Sequence, residues 1–352
     1  MSDSSILQLP AIPQLDAAAE SAARERQNSL TKPPGSLGRL EELALRLAAM
    51  TGNARPNVAR KAVIIMAADH GVAAEGVSAF PAEVTPQMVG NFLAGGAAIN
   101  VLARQADARV VVVDIGVAAD LPARNGLISR KISRGTANMA TGPAMTREQA
   151  VQAIRIGMEI AAEQSGAGLD VLATGDMGIG NTTPSAAIIS VLTATPVAKV
   201  TGRGTGVDDA GLSRKVATIE RALALNKPDA RDPLDVLAKV GGFEIAGLAG
   251  VMIAAASKRV PVVIDGFISG AAALVAARLA PDVKGYLIAS HQSVEIGHRV
   301  VLDDLGLRPL LNLDLRLGEG SGAVLAFHLL EAAARIQNEM ATFGEAGVSN
   351  KS

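Results

Sequence analysis

The chain has 352 residues, of which 49% are hydrophobic, 2% aromatic and 19% charged, with a net charge of -1. That length fits one large domain, or one with a smaller companion, and the balanced charge gives no footing for nucleic acid or an anionic membrane. With no cysteine, disulfides, thiolate metal sites and a cysteine nucleophile are excluded.

In chain order, residues 15–30 read as a helix rich in alanine and mixed charge. Pro33-Pro34-Gly35 cannot continue it. Ser36 is the expected cap of the next helix, in which Leu37, Leu40, Leu43, Leu47 and Met50 recur at helical spacing. Residues 61–68 form a buried strand ending in Asp69-His70-Gly71. A loop to about residue 86 and helical segments to 106 lead to a second strand, 109–114, which ends in Asp114-Ile115-Gly116. Residues 121–143 are polar and irregular, and 145–164 form a helix capped by Thr146. A strand at 169–173 runs into a turn at 174–183 and a helix at 184–192.

Residues 196–200 read as a short strand, 201–206 as a loop and 208–225 as a helix. An apolar helix at 243–257 precedes a strand at 261–264 that ends in Asp265-Gly266, and a helix at 268–279 follows. The strand at 285–289 ends in Ser290-His291, and 292–305 is helical. After an extended stretch at 310–317, Gly318-Glu319-Gly320-Ser321-Gly322 opens a last helix to about 340, and the tail from 344 looks loose. Residues 262–280, the most apolar long run, contain Asp265, Arg278 and two glycines, so they read as strand, turn and helix rather than a membrane span. The first twenty residues lack a basic stretch followed by an apolar core. A cytoplasmic protein is expected.

Short apolar strands alternating with helices from residue 61 onward imply an α/β fold with a parallel sheet covered on both faces. The terminal segments are helical and are expected to pack together. The expected division is a large α/β domain over 56–308 and a small helical domain from 1–55 with 309–352.

The stretch 174–183 (Thr-Gly-Asp-Met-Gly-Ile-Gly-Asn-Thr-Thr) holds three glycines, an amide and several hydroxyls between strand and helix. Bare N–H groups at a helix N-terminus favour an anion, so a phosphate on a sugar is the expected guest. A tight turn that merely needs glycine is the alternative. The spacing is neither G-x-G-x-x-G nor the lysine-bearing P-loop. Five strands end in polar groups, at Asp69-His70, Asp114, Asp176, Asp265 and Ser290-His291. In open parallel sheets these carboxyl ends form the ligand crevice. Glu319, between glycines at a helix mouth, suits a general base, and the dipole of that helix would favour its ionised form. It could instead only cap its own helix. Asp69, His70, Asp265 and His291 could hold a metal and support a phosphohydrolase, but no metal-ligand spacing such as HExxH is present. Ser290 and His291 are not expected to form a dyad, because neighbouring side chains on a strand point apart.

Four motifs in order carry a resemblance: residues 30–38 (Leu-Thr-Lys-Pro-Pro-Gly-Ser-Leu-Gly), 68–72 (Ala-Asp-His-Gly-Val), 175–183 and 318–323. Over about residues 10–340 the chain resembles the nicotinate-nucleotide–dimethylbenzimidazole phosphoribosyltransferases of cobalamin synthesis. The resemblance implies transfer of the 5-phosphoribosyl group from nicotinate mononucleotide to 5,6-dimethylbenzimidazole, giving α-ribazole 5′-phosphate with inversion at C1′. It implies Glu319 as general base, with no cofactor and no metal. It implies a phosphoribosyl site of Asp176, Met177, Gly178, Ile179, Gly180, Asn181 and Thr182, joined by Lys215, Asp265 and Ser290. Asp176 stands where the family usually has glutamate. Phe80, Gln87 and Leu317 are the implied base-binding residues, and the implied assembly is a homodimer with a Rossmann-like large domain. A non-catalytic phosphoribosyl-binding protein would keep the 178–183 turn and lose the base.

Overall fold

A computed structural model describes residues 7–349. Six parallel strands make one sheet in the order β3-β2-β1-β4-β5-β6. They are β1 (Lys61–Ala68), β2 (Ala108–Gly116), β3 (Leu127–Ser129), β4 (Val171–Met177), β5 (Val262–Ile264) and β6 (Leu287–Ala289). This is the doubly wound Rossmann order, which reverses direction between β1 and β4 and opens a crevice at their carboxyl ends. β1 is buried along its whole length, so its eight residues are apolar apart from Lys61, whose ammonium reaches Glu331 at 3.2 Å. β3 lies within the polar stretch that reads as irregular. Its three residues pair with Val112–Asp114 at the sheet edge, too short a run to show alternation.

The helices before β4 are α1 (Ala17–Ser29), α2 (Arg39–Thr51), α3 (Val84–Ala94), α4 (Ala98–Gln105) and α5 (Arg147–Gly166). After β4 come α6 (Thr182–Thr193), α7 (Val197–Val200), α8 (Asp209–Asn226), α9 (Pro233–Val240) and α10 (Phe243–Ser257). The last are α11 (Phe267–Leu279), α12 (Ile296–Leu305), α13 (Ser321–Glu339) and α14 (Phe343–Ala346). Thr146 caps α5 in a reciprocal capping box with Gln149. α5 and α10 lie in contact because their facing positions are glycines: a Cβ on Gly157 would sit 1.8 Å from Gly247 O, and one on Gly250 would sit 2.0 Å from Ile154 O. A chain poor in aromatics thus gains burial from small residues packed backbone to backbone.

Some elements differ from the sequence reading. Residues 197–200 form a helical turn, not a strand. Gly38, with φ 52°, occupies the α2 cap position expected for Ser36, and the preceding turn is held by Glu41 accepting from Gly35 N and Leu37 N. Helix α9 begins with Pro233 at its first turn and Asp232 capping it, a start signal the periodicity alone does not carry. The tail forms the single turn α14, capped by Thr342.

The two termini meet. α1 and α2 pack on each other, and both touch α13. Arg26 donates to Gln337 O, Asn338 O and Met340 O, which are free carbonyls at the end of α13. Leu30 bridges Thr342 in antiparallel fashion. α13 also packs on β4 and β5, so α2, α13 and the sheet share one hydrophobic core.

Candidate active site

A cavity of about 690 Å³ opens at the carboxyl ends of β4, β5 and β6. One side is the glycine turn. β4 runs through Gly175 and Asp176 to Met177, so only residues 178–181 are turn, and the helix begins at Thr182 rather than 184. Asn181 N donates to Gly178 O at 3.1 Å, Thr183 N to Gly180 O at 3.0 Å, and Ile179 N to Thr85 Oγ1 at 3.1 Å. Asp176, Met177, Gly178, Ile179, Asn181 and Thr182 line the cavity. Gly180, at φ 90°, makes the turn without lining it.

Lys215 is fully buried behind this turn. Its ammonium donates to Thr182 Oγ1 and, at 3.4 Å, to Gly202 O. Burial lowers its pKa to about 8, and the Glu295 carboxylate opposes that fall. It reaches the cavity through the Thr182 hydroxyl instead of lining it.

The other side carries carboxylates. Asp176 Oδ2 accepts from Asn181 Nδ2 at 2.9 Å. Burial pushes its pKa well above the ordinary aspartate range. The neighbouring Asp265, Glu244 and Glu319 carboxylates add to that rise, against the pull of the Asn181 amide. Glu319 lines the cavity and has φ 64°, between Gly318 at 83° and Gly320 at 90°. Three successive left-handed residues hold a non-glycine side chain in a conformation that costs about 1–3 kcal/mol. The loop is pressed against β4: a Cβ on Gly175 would fall 2.4 Å from Glu319 O.

The helix N–H that Glu319 accepts belongs to α4 rather than α13: Ile99 N lies 3.4 Å from Oε2. The first-turn amides of α13 go to Asp265, with Gly320 N to Oδ2 at 3.2 Å and Ala323 N to Oδ1 at 3.0 Å. Burial raises the pKa of Glu319, the Ile99 amide pulls it back, and the Asp265 charge adds to the rise. The expectation that the dipole of its own helix favours the ionised form of Glu319 is therefore corrected.

Other assignments shift as well. Asp265 caps α13 and does not line the cavity; burial pushes its pKa up to about 7 against several backbone N–H donors. Ser290 is fully buried and also outside the lining, and it does bond its neighbour: Ser290 Oγ lies 2.9 Å from His291 Nδ1. β6 has ended at Ala289, so strand alternation no longer separates the two side chains. His291 lines the cavity with a pKa lowered by burial to about 4, which leaves it neutral. Gln87 is exposed outside the lining. Val84 and Met88, four residues apart on the same helix face, line the cavity there together with Phe80 and Leu317.

The proposed metal quartet divides into two groups. His291 Nδ1 lies 3.9 Å from Asp265 Oδ1. His70 Nε2 is bonded to Glu244 Oε1 at 2.7 Å, and Asp69 Oδ2 accepts from Ala118 N at 2.8 Å. Asp114 likewise serves its own loop, accepting from Val117 N at 2.9 Å. Thus Asp69 and Asp114 close loops, while Asp176 and His291 face the crevice. Among the described residues no group of three or more His, Asp or Glu is placed to share a metal ion, and no helix is long and apolar enough to cross a membrane.

Sequence reasoning missed Glu295, Arg316, Gly204 and Thr205, all of which line the cavity. The one signal for Gly204 and Thr205 was the density of glycine in residues 201–206, and Glu295 and Arg316 carried none.

A parallel sheet with a glycine turn backed by a buried lysine, and a left-handed glutamate lining the same cavity, marks the chain as an α/β enzyme. The chain belongs to the phosphoribosyltransferase family whose model matches residues 12–348. It is 64% identical over 337 residues to the nicotinate-nucleotide–dimethylbenzimidazole phosphoribosyltransferase of Chloroflexus aggregans, covering 96% of each chain. It is 59% identical over 335 residues to the enzyme of the same name from Geobacter sulfurreducens, covering 95% of each. The crystal structure of CobT from Thermus thermophilus superposes with a TM-score of 0.91 at 53% identity, over 95% of this chain and all of that one.

Proposed function

We propose that this protein transfers the 5-phosphoribosyl group of nicotinate mononucleotide to 5,6-dimethylbenzimidazole, releasing nicotinate and forming α-ribazole 5′-phosphate in cobalamin synthesis. The observation that carries the chemistry is Glu319, a cavity-lining carboxylate held in a left-handed conformation. One benzimidazole nitrogen attacks C1′ from the face opposite nicotinate. The C1′–pyridinium bond breaks, and its electron pair neutralises the leaving ring. The proton on the other benzimidazole nitrogen passes to Glu319, and the attack from the opposite face inverts C1′ from β to α. The leaving group already carries positive charge, so its expulsion needs no added Lewis acid.

In this reading the residues 178–182 hold the phosphoribosyl group, with Lys215 acting through Thr182. Asp176 faces the ribose, and its short side chain is braced by Asn181. The acceptor ring lies between Phe80, Met88 and Leu317, a largely apolar slot suited to a flat heterocycle. Asp265 and Ser290 act from behind, Asp265 by capping the helix that follows Glu319. The terminal helices α1, α2, α13 and α14 form a small helical unit that brings Glu319 to the sheet. The protein works as a cytoplasmic homodimer, the state its resemblance implies; light scattering in solution tests the dimer.

The test is a product assay with nicotinate mononucleotide and a panel of benzimidazoles and purines, with and without chelator. The expected result is an α-linked nucleotide and one nicotinate per turnover, unaffected by chelator. Phosphate release without an acceptor, lost on chelation, would instead favour a metal-dependent phosphohydrolase.

A further inference from the structure

The segment 201–206 carries three glycines in six residues and no role so far. Its contacts join the two sides of the cavity. On the phosphate side, Gly202 O accepts from Lys215 Nζ at 3.4 Å, and Gly204 N donates to Glu295 Oε1 at 2.9 Å. Toward the acceptor, Gly204 O accepts from Arg316 Nη1 at 3.0 Å, one residue before Leu317. Thr205 Oγ1 accepts from Ala79 N at 3.1 Å and lies 3.2 Å from Ser78 Oγ. Ser78 Oγ in turn accepts from Phe80 N at 3.2 Å. Phe80 itself is 53% exposed, so its ring has little packing of its own to hold it in place.

We propose that Thr205 is a positioning residue for the acceptor: through Ser78 and Ala79 it holds Phe80 against the incoming ring, from a segment anchored on the phosphate side. This rests on the reading of the Phe80 wall as the acceptor slot. An exposed loop with few buried contacts samples open states easily, and one threonine hydroxyl linking it to an anchored backbone restricts that sampling. The acceptor slot is then best formed when the 201–206 segment is in place, which ties acceptor affinity to the phosphate side through the protein as well as through the reacting atoms.

The test compares Thr205→Val, which keeps the shape and loses the hydrogen bonds, with Thr205→Ser, which keeps the hydroxyl. Thr205→Val should raise KM for 5,6-dimethylbenzimidazole about 5- to 150-fold, the range carried by two ordinary hydrogen bonds. Its kcat should fall less than about threefold, and KM for nicotinate mononucleotide should change less than about twofold. Thr205→Ser should restore the parent acceptor KM. Hydrogen exchange read without substrates should show the Ala79 amide losing protection in Thr205→Val and regaining it in Thr205→Ser. Unchanged Ala79 protection overturns the proposal, as does a rise confined to the nucleotide KM. A parent protein that transfers no phosphoribosyl group would overturn the preceding functional reading, while the exchange measurement still decides the role of Thr205.

Discussion

The phosphate side of the cavity and its carboxylate side meet at the end of β4 and solve opposite electrostatic problems. On the phosphate side one ammonium is buried without a salt-bridge partner in hydrogen-bonding contact, and burial lowers its pKa to about 8. On the carboxylate side Asp176 and Glu319 face the cavity with Asp265 behind them, and burial raises the pKa of all three. The first arrangement favours capture of an anion, which neutralises the stranded charge. The second favours uptake of a proton, which relieves crowding among carboxylates. In the proposed function the cavity separates binding from chemistry, and substitutions on the two sides should move different kinetic constants.

The largest effect should come from Glu319→Gln. Glutamine keeps the shape and the reach to Ile99 but cannot take the benzimidazole proton. General-base catalysis is worth about 10²–10⁴ in rate, so kcat should fall by that factor, while calorimetric affinity for nicotinate mononucleotide stays near the parent value. Full turnover by a folded Glu319→Gln variant would leave positioning alone to explain the transfer. Next comes Lys215→Met, which keeps the stem and removes the charge. Losing a charge-assisted hydrogen bond costs about 1.5–3 kcal/mol, or about 10- to 150-fold in affinity. That loss should appear in capture of the nucleotide and little in kcat. A collapse of kcat with unchanged affinity would merge the two sides into one.

The same contrast explains what was legible in the sequence. The sheet could be read because β1, β2 and β4 are long apolar runs ending in polar residues, and Thr146 and Asp208 are strong caps. The 178–183 turn and Glu319 were visible because glycine marks positions where backbones approach. What the carboxylates do was hidden. Asp265 resembles Asp176 in sequence context, since both end apolar strands. Only the α13 amides, brought in from more than fifty residues away, turn Asp265 into a cap. Helix phase decided Gln87: it shares a helix with Val84 and Met88 yet points away, a difference that composition cannot show. The 201–206 segment has no apolar pattern, so its function resides in contacts to distant loops.

A smaller effect separates those neighbours on α3. Met88→Ala should change the ranking of benzimidazoles and purines several-fold in acceptor kcat/KM, because it removes a flexible apolar wall. Gln87→Ala should leave the ranking within about twofold. Equal effects from the two would mean that the acceptor lies elsewhere on the helix.

The finest test uses pH, because the two sides titrate at opposite ends. Glu319 must be ionised to accept a proton, and burial raises its pKa, so kcat should fall on acidification at a pH above the ordinary glutamate range. Lys215 must be charged to hold phosphate. The free enzyme titrates it at about 8, and kcat/KM for nicotinate mononucleotide reports the free enzyme. Below that pH the ammonium is charged and capture is full; above it capture should decline. Glu295 raises the Lys215 pKa against desolvation. Glu295→Gln keeps an acceptor for Gly204 N but removes the charge, so the alkaline limb of kcat/KM should move to lower pH while the acid limb of kcat stays in place. A limb that moves to higher pH, or an acid limb that moves with it, would show that Glu295 acts on both sides and that the cavity titrates as one site.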